Sequence, residues 1–227
     1  MLIRAAYQKT GRMRFLAHLD LARTMHRAIA RADIPIAYSE GFNPQPRVGF
    51  GPPVALGVEG LEEWVDLTLT RVMAPEDLLQ GMNAALTEGL AFSRAFELPK
   101  RAASLGSRIR WARYRAEPLS APPIPPEKIA SALAGATLEI NKRSKKGDTV
   151  VDVRDRVREL ALDGRALQAL LACGPEKSLG ILDLMCHLTD LENAAVLAGY
   201  RVVRQKLYAD AGGVPIPIDE LPDESHA

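Results

Sequence analysis

Between Pro35 and Val58 the sequence reads PIAYSEGFNPQPRVGFGPPVALGV. Pro35, Pro44, Pro46, Pro52 and Pro53 stand there among Gly41, Gly49, Gly51 and Gly57. No regular helix crosses such a stretch, because each proline removes a backbone donor and clashes with the turn before it. A central strand is barred by the same missing donors. The glycines permit turns and close backbone approach. Whatever precedes Pro35 and whatever follows Val58 are therefore separate elements, joined by a long connection whose φ angles are largely fixed.

The flanking segments show clear periodicities. Leu2–Gln8 starts apolar and ends in a Lys9-Thr10-Gly11 turn, as a short strand does. From His18 to Ala32, residues Leu21, Ala22, Met25, Ala28, Ile29 and Ala32 recur at three- and four-residue spacings, the apolar stripe of a helix. Glu63–Thr70 alternates as a half-buried strand. Pro75, Glu76 and Asp77 open a second helix that runs to Leu86, with proline and acids where the helix dipole favours them. Leu90–Leu98 is strand-like again. The order β-α-β-β-α-β predicts a ferredoxin-like plan, two helices on one face of an antiparallel sheet.

The second half repeats the rhythm more loosely. Strands are expected at Arg108–Ala116, Leu167–Ala172 and Tyr200–Tyr208, helices at Pro126–Ala134 and Ser178–His187, and a hairpin over Thr137–Val153. Arg154–Leu162 fits strand or helix equally. The prediction is an α+β protein of two tandem ferredoxin-like (βαββαβ) domains with antiparallel sheets, at residues 1–104 and 105–209. An acidic, proline-containing tail follows at 210–227. A length of 227 residues suits two such units.

Net charge is +1, so the whole chain makes no case for a nucleic-acid partner. The cations are nonetheless concentrated before Val58 and the acids after Tyr208. Cys173 and Cys186 are the only cysteines, which points to reduced thiols in the cytoplasm. No run approaches the roughly 18–20 apolar residues of a membrane span, and Met1–Phe15 lacks the apolar core of a signal peptide.

Three groups of residues are candidates for binding. Asp20 is followed by Arg23, Arg27 and Arg31, three guanidiniums on one helical stripe, able to track phosphates or an acidic partner but also ordinary for a solvated face. Tyr38, Ser39, Phe42, Asn43, Gln45 and Arg47 give the proline-glycine segment more hydrogen-bonding and stacking groups than a connection needs. Arg110 and Arg113, interleaved with Trp111 and Tyr114, form a secondary basic surface with Lys142, Arg143, Lys145, Lys146 and Arg154. His18 shares the angular position of Met25 and is expected half-buried. It is a candidate for acid–base chemistry, with Tyr38, Ser39 and Arg47 beside it, and such chemistry needs a substrate group within about 3 Å. No zinc spacing, P-loop or dinucleotide fingerprint occurs, so neither a metal nor a cofactor is expected.

The run HLDLARTMHRAIARADIPIAYSEGFNPQPRVGFGPPVALGVEG resembles the signature of the radical SAM-linked proteins, a bacterial family of unknown function (DUF2344). The likeness extends to EEWVDLTLT and, more weakly, to the KKG–DVR region and RQKLY, and so spans nearly the whole chain. Ala17 stands where the family carries serine, which removes a helix cap worth about 1 kcal/mol. The resemblance implies an accessory protein for a radical S-adenosylmethionine partner with a cobalamin-binding-like region. This chain has no CxxxCxxC of its own to hold the cluster. The expected function is a non-catalytic protein that binds RNA, tRNA or rRNA, and positions it for that enzyme. Two alternatives stay open: an RNA-modifying or RNA-cleaving enzyme using His18, and a pure protein–protein adapter.

Overall fold

The computed structural model describes residues 1–99, 101–142, 147 and 149–221. The first strand, β1 (Leu2–Lys9), leads through a 3-10 turn at Gly11–Phe15 into helix α1 (His18–Arg31). The proline-glycine connection then yields only a three-residue strand, β2 (Val48–Phe50). It is followed by β3 (Glu59–Thr68), α2 (Pro75–Ala85) and β4 (Leu90–Leu98). A short α3 (Leu105–Arg108) opens the second half, with β5 (Ile109–Pro118), α4 (Pro126–Ala134), β6 (Glu139–Lys142) and β7 (Thr149–Asp152). It closes with β8 (Val157–Asp163), β9 (Ala166–Ala172), α5 (Ile181–Thr189), α6 (Asn193–Gly199), β10 (Tyr200–Ala211) and β11 (Val214–Pro217).

All strands but β6 and β7 join one mixed sheet, in the order β4-β1-β3-β10-β5-β9-β8, with β2 beside β3 and β11 beside β10. Within the first half the order is β4-β1-β3-β2, and within the second it is β10-β5-β9-β8. β6 and β7 form a separate hairpin. The halves meet where β10 runs parallel to the start of β3, Val203 against Glu59 and Arg204 against Gly60. Every other pairing in the sheet is antiparallel. This seam is possible because β2 is short: it covers β3 only from Val65 to Leu67 and leaves the start of that edge free.

Two apolar clusters hold the layers together. Ile3, Ala5, Tyr7, Val65 and Leu67 of the sheet pack under Leu21, Met25, Leu78 and Met82 of α1 and α2. The second cluster joins Tyr114, Ala169, Leu171 and Val202 to Ile129, Leu184, Met185 and Val196 of the later helices. Trp64 belongs to the second cluster although it lies on β3, so the first half contributes a fully buried side chain to the core of the other.

The structure departs from the sequence reading in particular places. β3 starts at Glu59, because Glu59 and Gly60 find partners in β10. The ambiguous 154–162 segment is a 3-10 turn at Arg154–Arg156 followed by strand β8. Helix α5 begins at Ile181, since Cys173 bridges to Ser178 and Leu179 bonds back to Ala172. The short α6 had no signal long enough to read. Within the acidic tail, residues 210–217 complete a hairpin with β10, turning at Gly212 and Gly213 with φ of 63° and 87°. Ile218 beyond it is buried. Arg143, Lys145 and Lys146 lie outside the described residues. No described helix is long and apolar enough to cross a membrane.

Candidate functional site

The connection from Ile36 to Val48 folds as an arm. Its base is tied to the sheet by Ala37 N to Thr68 O at 2.7 Å, Arg47 N to Ala37 O at 2.7 Å and Thr68 N to Arg47 O at 3.1 Å. Tyr38 bridges Pro46, Ser39 N donates to Gln45 O at 2.9 Å, and Gln45 N donates to Ser39 Oγ at 3.0 Å. The tip turns at Gly41, φ 117°, where a side chain with a Cβ would be strained. Phe42 next to it is 106% exposed and Tyr38 is 54% exposed. Glu40, Asn43 and Arg47 are exposed as well. Neither Phe42 nor the Arg47 guanidinium has a partner among the described residues.

His18 is exposed rather than half-buried. Its angular position is that of Met25, but the whole first turn of α1, from Ala17 to Asp20, lies beyond the packed stripe. The imidazole meets the edge of Phe50 instead, with ring centroids 5.4 Å apart. Further along α1, Arg23 pairs with Asp20 at 3.2 Å and Arg27 reaches Thr24 Oγ1 at 3.4 Å. Arg31 donates to Ala85 O at 2.7 Å, at the carboxyl end of α2 where a cation is favoured. The stripe exists, but Arg23 is locally balanced and Arg31 is committed to the fold.

The secondary basic surface is largely paired. Arg113 donates to Glu159 at 2.8 Å and stacks over Tyr208, and Arg115 donates to Asp163 at 2.6 Å. The bond to Arg115 holds the Asp163 carboxyl below its usual range. Tyr114 points to the opposite, buried face, so it has no surface to offer a base. Arg110 is bent back on to Ile109 O at 2.9 Å, and Arg154 bonds Val157 O at 3.2 Å. Lys142 ends β6. Arg156 donates to Ser178 O at 3.2 Å, and Arg158 lies over Trp111.

The most heavily buried charges lie at the seam, where the sequence had suggested no site. Arg204 donates through Nε to Glu63 Oε1 at 2.8 Å and through Nη2 to Glu63 Oε2 and to Pro52 O, a bidentate pair across the two halves. Both side chains are at most 4% exposed. Tyr7 stands directly across from Glu63, and Tyr114 directly across from Arg204, so four polar side chains span three strand junctions in one row. Burial pushes the Tyr7 and Tyr114 phenols up. Lys9, also buried, donates to Leu16 O at 2.8 Å, and burial lowers its pKa. Glu59 completes the seam, accepting from Arg201 at 2.8 Å and from Gly11 N at 3.0 Å. A cleft of about 540 Å³ opens beside Arg204, lined in part by Cys173, whose thiol burial pushes up to about 12.

One signal of the seam was present in the sequence. Glu59, Glu63 and Arg204 are charges inside strands that are otherwise apolar on the same face, and buried charges are paired. Their pairing over 141 positions has no local signature. Among the described residues, no three His, Cys, Asp or Glu side chains gather as a metal site.

Against known proteins, the family model described as "Uncharacterized protein conserved in bacteria (DUF2344)" matches residues 2–180. The match stops at the amino end of α5, so β10 and Arg204 lie past it. No curated protein matches the chain.

Proposed function

We propose that this chain, which belongs to the DUF2344 family, is a non-catalytic binding protein that positions RNA for a partner radical S-adenosylmethionine enzyme. The observation that carries this reading is the arm. It presents two exposed aromatic rings, Tyr38 and Phe42, beside the unpaired cation Arg47, on a backbone braced by its own hydrogen bonds. Aromatic faces that stack on bases, with a cation for the phosphate, are the means by which single-stranded RNA is held without a metal or cofactor. Preorganisation keeps the entropy cost of binding low. The partly unpaired Arg27 on α1 adds a second cation.

The two strand orders, β4-β1-β3-β2 and β10-β5-β9-β8, support reading the halves as tandem ferredoxin-like units whose sheets have fused. Two reduced cysteines fit a cytoplasmic setting. The partner assignment rests on the resemblance to radical SAM-linked proteins. Its test is co-purification of the tagged chain with the radical enzyme, with bound RNA sequenced from the same eluate.

The RNA assignment has a separate test. Titration of tRNA and rRNA fragments at several salt concentrations should give binding that weakens linearly in log–log form. Replacing Phe42 and Tyr38 by alanine should abolish it. Absence of binding at low salt, or binding indifferent to salt, sinks the RNA reading and leaves the protein adapter, for which the same arm is the contact.

A further inference from the structure

A strip of exposed apolar side chains lies at the amino end of α1, whereas the arm follows its carboxyl end. Phe15, closing the 3-10 turn, is 57% exposed, and Leu19, on the first turn of α1, is 69% exposed. Gly57 N donates to Arg14 O at 2.9 Å, and Val58 N to Ala55 O at 3.1 Å. This sets Leu56, 55% exposed, beside the 3-10 turn. The strip runs on through exposed Ala55 and Pro53 into the seam cleft, about 540 Å³ walled by Phe50, Leu179 and Ile181. His18, against Phe50 at 5.4 Å, joins Leu19 to the same cleft. Single exposed apolar side chains are ordinary, but a continuous run of them marks a contact surface.

The chemistry of the occupant follows from what is spent and what is left over. Arg204 at the cleft floor is spent on Glu63, Pro52 O and Pro53 O, so the cleft asks for an apolar group. The rim of the strip is basic. Arg14 and Arg201 share the single carboxylate of Glu59, at 3.9 and 2.8 Å. Arg12 is exposed and has no partner among the described residues. Three cations against one carboxylate leave an excess of two positive charges there. Arg14 Nε is buried without an acceptor, and its guanidinium lies 4.8 Å over the Phe15 ring. Asp20, the nearest acid on α1, is already paired with Arg23. Pro52 and Pro53 offer no N–H, so an extended peptide finds no strand edge to join along the strip. Side chains alone must hold the occupant, as they do when an amphipathic helix docks.

We propose that the strip and the cleft together dock an acidic amphipathic helix of a protein partner. One apolar side chain of that helix anchors in the cleft, the next ones along its stripe cover Leu56, Phe15 and Leu19, and its acids face Arg12 and Arg14. A nucleic acid has no apolar stripe to lay there, and a bilayer surface does not fill a concave cleft. The surface is separate from the arm, so this inference stands apart from RNA binding and leaves the arm free while the helix is bound.

The test presents the immobilised full chain with a displayed library of randomised peptides, each about four helical turns long. Enriched sequences should carry apolar residues at i, i+3 or i+4, and i+7, with acids beside them. A peptide synthesised from that consensus should bind Leu19→Glu and Arg12→Glu at least about tenfold more weakly than the unaltered chain. Both positions are exposed, so the melting temperature should not move. Phe42→Ala on the arm should leave peptide affinity unchanged, and Leu19→Glu should leave RNA affinity unchanged, which keeps the two surfaces distinguishable. The proposal is overturned if nothing is enriched, if the enriched peptides are basic or lack the helical period, or if their binding survives Leu19→Glu. It is overturned as well if the chain sediments with phosphatidylglycerol vesicles and Leu19→Glu releases it, since the strip would then face a lipid surface.

Discussion

The arm and the seam are built on opposite terms. In the arm, backbone groups bond within the arm over six to ten positions and at its base to Thr68 of β3, and the side chains point outward with almost nothing to touch. At the seam, the backbone contributes only two parallel register pairs, and side chains that meet over 141 positions carry the junction. Side-chain identity in the arm is thus free to serve recognition, whereas at the seam it is bound to stability. A substitution should register in one assay or the other, seldom in both.

The sharpest way to break the comparison is Glu63→Gln. It keeps the shape but leaves Arg204 buried without its counter-charge, which costs about 3–5 kcal/mol in such pairs. Urea unfolding at neutral pH reads this directly, and arm-mediated binding of any folded fraction should be unchanged. A loss below about 1 kcal/mol would mean that water reaches the pair and that the seam is not the dry junction described. Replacing both partners, Glu63→Leu with Arg204→Met, should recover most of the loss, because no charge is then stranded.

Gly57→Ala should come next, at about 1–3 kcal/mol. Gly57 has φ of 85°, and an added Cβ would stand 2.6 Å from Leu197 Cδ1 of α6. The residue lies where the first half passes beneath a helix of the second, so strain there also loosens the seam. In the Leu197→Ala background the steric part should vanish and the backbone part remain, a non-additivity that thermal melts resolve.

The β10–β11 hairpin offers a smaller, pH-dependent effect. Hydrogen bonds from Trp111 Nε1 and from Gly213 N hold the Asp210 carboxyl below its usual range. A carboxylate depressed in the folded state contributes stability above its unfolded pKa and loses it as pH falls through the folded value. Asp210→Asn should therefore flatten the acid limb of the stability profile. The change at neutral pH should stay below about 1 kcal/mol, because the group is largely solvated. Glu62 behaves with the reverse sign: burial raises its pKa, so it costs stability as pH rises through that raised value. Glu62→Gln should remove a loss on the neutral side instead.

How far each region was readable follows from the distance over which its chemistry acts. Helix α1, β4 and α4 were legible almost to the residue, since periodicity and caps are local properties. Phe42 and Arg47 were legible as excess over what a turn requires. Burial at helix ends was not: His18 has the angular position of a core residue but belongs to a turn that extends past the core. The pairing of Arg113 and Arg115 with β8 acids, and of Arg204 with Glu63, depends on strand order, which local pattern does not encode. For the same reason local pattern gave no partner for the tail, where Asp219 closes on Arg94 of the first half.

The smallest effect on stability is expected from Phe42→Ala, and it is the most informative about function. A ring 106% exposed has no packing to lose, so the melting curve should move by no more than about 0.5 kcal/mol. If the arm stacks on a base, the same change should weaken RNA binding by about 1–3 kcal/mol, the worth of one stacked aromatic. Arg47→Ala, exposed and unpaired, should reduce the salt slope by about one while sparing stability. Arg113→Ala should do neither, since its charge is already taken by Glu159. That three-way contrast separates recognition by the arm from a general attraction to basic surface. If Arg113→Ala lowered RNA affinity as much as Phe42→Ala, the arm would lose its special standing, and the binding face would lie on the open sheet of the second half.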